Sequence, residues 1–116
     1  MNFKREQLES KIQLLISEII LEELNIDALR NKTTIADVKL NKDNSLAIVF
    51  VSFITNKNDK EEEKKLFSLL KKETSQIRRI LSKKLPLRFV PQIEFKLDHL
   101  IDDINKIENL IKDATK

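Results

Sequence analysis

The chain contains no glycine. That excludes every Gly-rich phosphate cradle: no Walker loop, no dinucleotide fingerprint and no Gly-x-x-Gly nucleotide clamp can be built. Backbone positions with φ > 0 must therefore fall on Asn or Asp, or be avoided. Cysteine is also absent, so there is no disulfide framework, thiolate nucleophile or Cys metal site. The single histidine, His99, has no second His or Cys to share a metal with, and it reads as a surface residue. No apolar run approaches the roughly 18 residues of a membrane span. Met1-Asn2-Phe3-Lys4-Arg5-Glu6 turns polar where a secretion signal needs an apolar stretch. A cytoplasmic location is expected.

The acids do not suggest catalysis either. Glu22-Glu23, Glu61-Glu62-Glu63 and Asp102-Asp103 are sequence neighbours, and neighbours on a helix point to different faces. They read as solvated faces or helix-start acids. The serines have no base placed to activate them. No enzyme, no cofactor and no small-molecule substrate are expected.

What is present is 116 residues, 41% apolar and 35% charged, enough for one soluble domain with a modest core. Residues 5–24 carry Leu8, Ile12, Leu15, Ile16, Ile19 and Ile20 on one wide apolar face, the pattern of a core helix. Residues 25–32 form a polar connector. Residues 33–40 are β-prone, residues 41–44 are turn-forming, and Ser45 to Ile54 is apolar on both alternating faces. Such a two-faced run belongs at the centre of a sheet.

Asp59 and Glu62 have N-cap and N3 spacing for a second helix. Its pattern runs past Glu73-Thr74-Ser75, where Thr74 and Ser75 are weak helix formers that predict a kink or a cap and restart. It continues through Ile77, Ile80, Leu81 and Leu85 until Pro86 and Pro91 stop it. Ile93, Phe95 and Leu97 then alternate with polar residues as a third strand. Leu100, Ile101, Ile104, Ile107 and Ile111 recur at helical spacing in a tail over residues 100–116. The order is α-β-β-α-α-β plus a helical tail. It predicts an α+β, type II KH-like domain over residues 1–99, with a three-stranded mixed sheet and helices on one face.

Charge is unevenly placed. From Lys71 to Phe89 there are seven basic residues against the single acid Glu73, a local +6 in a chain of net +3. Arg78, Arg79 and Lys83 fall off the stripe of Ile77, Ile80 and Leu81 and are expected to point to solvent, so that removing them leaves the core alone. A solvated face usually mixes both signs, whereas concentration of one sign points to an anionic partner. Phosphates are the natural candidates. Phe89 and Phe95 could stack on bases, but their alternation with polar residues favours core packing.

The order and its anchors resemble ribosome-binding factor A, a family of small bacterial ribosome-maturation proteins. Thr34-Ile35-Ala36-Asp37-Val38 followed by Asp43 and Ala47-Ile48-Val49-Phe50-Val51-Ser52 is similar to that family's strand hairpin. Ile77-Arg78 with Leu81, then Leu85-Pro86-Leu87-Arg88-Phe89-Val90-Pro91 and Phe95 with Asp98, resembles its most distinctive segment. One stretch departs: the family's Ala-x-Gly interruption between the crossover helices is Glu73-Thr74-Ser75 here. The resemblance implies a non-catalytic assembly factor, monomeric and cytoplasmic. It would bind the immature 30S subunit and its 16S rRNA near the decoding region, assist late 16S rRNA processing and matter most in the cold. Its RNA-binding residues would be Lys71, Lys72, Ser75, Arg78, Arg79, Lys83, Lys84 and Arg88. Two other readings stay open on sequence grounds: a KH-like module that contacts different RNA, and a protein–protein adaptor that uses the apolar first helix or the tail.

Overall fold

The computed structural model describes residues 4–56 and 59–98. The expected tail over residues 100–116 lies outside the described residues. Helix α1 (Arg5–Glu18) buries Leu8, Ile12, Leu15 and Ile16, the spacing that one apolar stripe requires. The apolar periodicity predicts a single α-helix to residue 24. The last turn is instead a π-helical segment (Ile19–Glu23), in which the Leu24 N–H donates to the Ile19 carbonyl at 3.0 Å. Asn25 ends it at φ 55°. Asn25 and Asn44 are the two positive-φ residues among those described, so asparagine takes the role that glycine usually fills.

The expected connector over residues 25–32 contains a short helix, α2 (Asp27–Arg30). Its Leu29 is fully buried, which fixes the turn against the core. Strand β1 (Thr33–Leu40) pairs antiparallel with β2 (Leu46–Phe53), and β2 pairs parallel with β3 (Gln92–Leu97). The two-faced apolar strand is the central one, in the order β1-β2-β3. One face of β2, Ala47, Val49, Val51 and Phe53, is buried; Leu46, Ile48 and Phe50 on the other face are half-buried.

Strand β1 carries a bulge between Ile35 and Asp37 that returns Val38 and Leu40 to the buried face. Side chains from α1 cover its backbone. Gln13 Nε2 donates to the Ile35 carbonyl at 3.0 Å, and Glu9 Oε2 accepts from the Leu40 N–H at 2.7 Å.

Helix α3 (Lys60–Lys72) starts on Asp59, whose carboxylate accepts from the Glu61 and Glu62 N–H groups at 3.0 and 3.2 Å. The Glu62 carboxylate does not reach back to the cap. It pairs with Lys32, which pins the helix start to the end of the α2 turn. Helix α4 (Thr74–Lys84) follows after a single interrupting residue, Glu73, at φ −93° and ψ 5°. That conformation needs no glycine. Ser75 lies inside α4. Thr74 Oγ1 donates to the Lys71 carbonyl at 2.8 Å and so satisfies an end group of α3. Helix α4 buries Ile77 and Leu81 and ends before Pro86 with Leu85 extended at ψ 132°. The core joins these residues to α1, the π segment, α2 and the covered sheet face.

Candidate nucleic-acid interface

All eight residues singled out in the sequence are exposed. They lie along the end of α3, along α4 and in the loop before β3. Among the described residues, only Lys84 has an acidic partner, with its Nζ 3.3 Å from Glu23. Lys71 lies over the Phe67 ring at 4.7 Å. Arg79 bonds its neighbour Gln76 one turn back. The exposed cations follow from patterning: Ile77 and Leu81 turn into the core with Ile80 half-buried beside them, and Arg78 and Arg79 fall on the outer side.

The structure does not gather all eight in one place. Ser75, Arg78, Arg79 and Arg88 line one open groove of about 510 Å³, together with Ser82 and Phe89. Lys71 lines a separate depression between α3 and β3 with Thr74, Phe67 and Phe95. Lys72, Lys83 and Lys84 line neither groove. The face is thus a small groove flanked by outlying lysines.

Two expectations need correction. Arg78 is not only a solvent-facing cation. Its Nε donates to the Pro91 carbonyl at 3.1 Å and its Nη2 to the Val90 carbonyl at 2.8 Å. It ties α4 to the loop that feeds β3, because a planar fork can serve two carbonyls at once. Phe89 is not a core residue. Phe95 is buried, but Phe89 is 81% exposed, with the Arg88 guanidinium 5.6 Å from its ring centroid. Its place between two prolines, outside the alternating strand, was the signal that separated it from Phe95.

A second groove of about 420 Å³ shares Arg78, Arg88 and Phe89 with the first and adds Asp43 and Asn44 from the β1–β2 turn. Sequence reasoning assigned that turn no site role. Asp43 Oδ1 accepts from the Ser45 hydroxyl at 2.6 Å and the Ser45 N–H at 3.1 Å. These bonds hold its carboxyl below the usual carboxylate range. No group of three or more potential metal ligands occurs among the described residues, and no described helix is long and apolar enough to cross a membrane. The arrangement can hold phosphates by charge and hydroxyl donors; among the described residues it contains no nucleophile paired with a base.

Comparison with known proteins gives a consistent result. A family model described as ribosome-binding factor A matches residues 4–111. The ribosome-binding factor A of Buchnera aphidicola is 33% identical over 113 residues, covering 97% of this chain and 94% of the relative. The crystal structure of ribosome-binding factor A from Thermus thermophilus superposes with a TM-score of 0.68 at 21% identity, over 82% of this chain and 97% of that one. A homology model of the Thermus thermophilus factor, fitted into a cryo-electron-microscopy map of a 30S complex, gives 0.63 at 21% identity. It covers 82% of this chain and 96% of that one. The fold is therefore the one this family shares, and with the family model spanning nearly its whole length, the chain belongs to the ribosome-binding factor A family.

Proposed function

We propose that this chain is a non-catalytic assembly factor that binds the immature 30S subunit through its 16S rRNA and assists late 16S rRNA processing. It would act in the cytoplasm as a monomer, with its greatest effect in the cold. The observation that carries this reading is the run of exposed cations Lys71, Lys72, Arg79, Lys83 and Arg88. None of them has an acidic partner among the described residues. Such a face has no ion pair to break on meeting phosphate and gains by releasing condensed counterions. The 30S complex of the Thermus factor supports the small subunit as the partner.

The test is pelleting with purified small subunits across a salt series, with thermal melts alongside. Arg79→Glu with Lys83→Glu should leave the melt nearly unchanged, because neither side chain enters the core. The same pair should strongly weaken association and lower the salt slope by about one unit per lost contact. Lys106→Glu with Lys112→Glu, outside the basic segment of the sequence, should do far less. Association should persist in chelator and without nucleotide. Equal binding by the Arg79/Lys83 variant and the unaltered protein at every salt would refute the site. Equal losses from both charge pairs would show that net charge alone drives binding.

A further inference from the structure

We infer that Phe89 is a stacking platform for one unpaired RNA base, and that the two grooves it borders divide the nucleotide between them. This rests on the proposed RNA-binding role of the same face and adds the part of the ligand that the cations cannot recognise. An exposed aromatic ring is informative only if it is held in place, and this one is. Leu87 and Val90 on either side are half-buried against the core, and Pro91 is buried. Arg78 fastens the Val90 and Pro91 carbonyls to α4. The chain therefore enters and leaves position 89 along fixed paths, and the ring projects from the crest between them.

The surroundings sort the parts of a nucleotide by charge. The groove on the α4 side offers Arg79 and the Ser75 hydroxyl, suited to a phosphate, while the Ser82 hydroxyl donates to the Arg79 carbonyl at 2.6 Å. The groove on the turn side offers Asp43 and Asn44. The Asp43 carboxylate repels a phosphate but accepts from a base amino group or a ribose hydroxyl. Arg88 lies over the ring and extends the stack with a planar cation. A cationic groove beside an aromatic ring is the recurrent arrangement for single-stranded nucleic acid, because every base has a π-face. A duplex keeps its base faces stacked inside and cannot present one. The expected ligand is therefore an unpaired nucleotide rather than helical RNA.

The sequence contains no tryptophan and no tyrosine, so Phe89→Trp gives one clean fluorophore. Titration with a single-stranded oligoadenylate of about 12 nucleotides should quench it, and the same strand annealed to its complement should not. Phe89→Ala should weaken small-subunit association by about 5- to 150-fold without changing the salt slope, since stacking releases no counterions. Phe89→Leu should be as weak as Phe89→Ala. Equal quenching by strand and duplex would overturn the inference, and so would unchanged affinity in Phe89→Ala. Full rescue by Phe89→Leu with no quenching by the single strand would show that the ring anchors a protein instead. If the Arg79/Lys83 charge swap weakens binding while Phe89→Ala does not, stacking alone fails. If neither changes binding, the proposed face fails with it.

Discussion

The Arg78 guanidinium and the Pro91 carbonyl are joined at 3.1 Å across the gap between α4 and the start of β3. With the second bond to Val90, the side chain acts as a clasp where the crossover returns to the sheet. A residue on the cationic face thus also holds the fold, and binding data on Arg78 variants would mix the two roles. Arg78→Lys keeps the charge but loses the fork. Arg78→Lys and Arg78→Ala should each cost about 1 kcal/mol, or about 4–8 °C in melting temperature, whereas Arg79→Ala should stay within about 0.5 kcal/mol. Thermal melts of the three variants decide this; an unshifted Arg78→Lys would show the clasp to be idle.

Leu29 should behave as a core residue although it sits among polar neighbours. It is 0% exposed, and truncation leaves a hole that the short α2 turn cannot easily close. Leu29→Ala should cost about 2–5 kcal/mol in denaturant unfolding. Leu14→Ala, at a residue 56% exposed, should cost far less. Equal midpoints for the two would contradict the packing described.

Asp59→Ala should remove the cap of α3 and cost about 1 kcal/mol, within a range of about 0.5–2. Asp59→Asn should recover most of that, since its side-chain oxygen can still accept from Glu61 and Glu62. Circular dichroism on melting distinguishes the pair. Identical losses would assign the effect to charge rather than to the cap.

The Asp43 carboxyl is held low chiefly by the Ser45 hydroxyl. A folded value below the unfolded one means that the contribution is complete above the unfolded value. It is lost as pH falls through the folded value, so the β1–β2 turn should loosen only below the ordinary carboxylate range. Ser45→Ala should raise the Asp43 pKa toward normal in a carboxyl NMR titration. No movement would show that the backbone bond suffices.

The strand hairpin and the central place of β2 were readable because period-two patterning survives in the residues themselves. Val49 and Phe50 are both apolar, and only a strand covered on one face and partly shielded on the other makes use of both. The positive-φ asparagines were foreseeable from the missing glycine, and the Asp59 cap from its spacing. The α2 turn was hidden because one apolar residue, Leu29, carries no period. The π segment was hidden because Ile19 and Ile20 satisfy an α-helical stripe equally well. At the site, exposure of the cations followed from the stripe of Ile77 and Leu81. The dual role of Arg78 did not, because it depends on carbonyls that the loop brings near only after folding.

The bonds from Gln13 and Glu9 to β1 bear on how this protein meets copies of itself. A three-stranded sheet has two edges, and an edge with free N–H and C=O groups is a template for another strand. Here side chains of the protein's own helix occupy the Ile35 carbonyl and the Leu40 N–H, and the bulge bends the β1 edge between them, so an incoming strand meets an interrupted template. The β3 edge is only six residues long and follows Pro91, which has no N–H to offer. Glu9→Ala with Gln13→Ala should therefore raise light scattering on concentration more than it lowers the melting temperature. A chain with both sheet edges blunted in this way is thus kept from growing by strand addition.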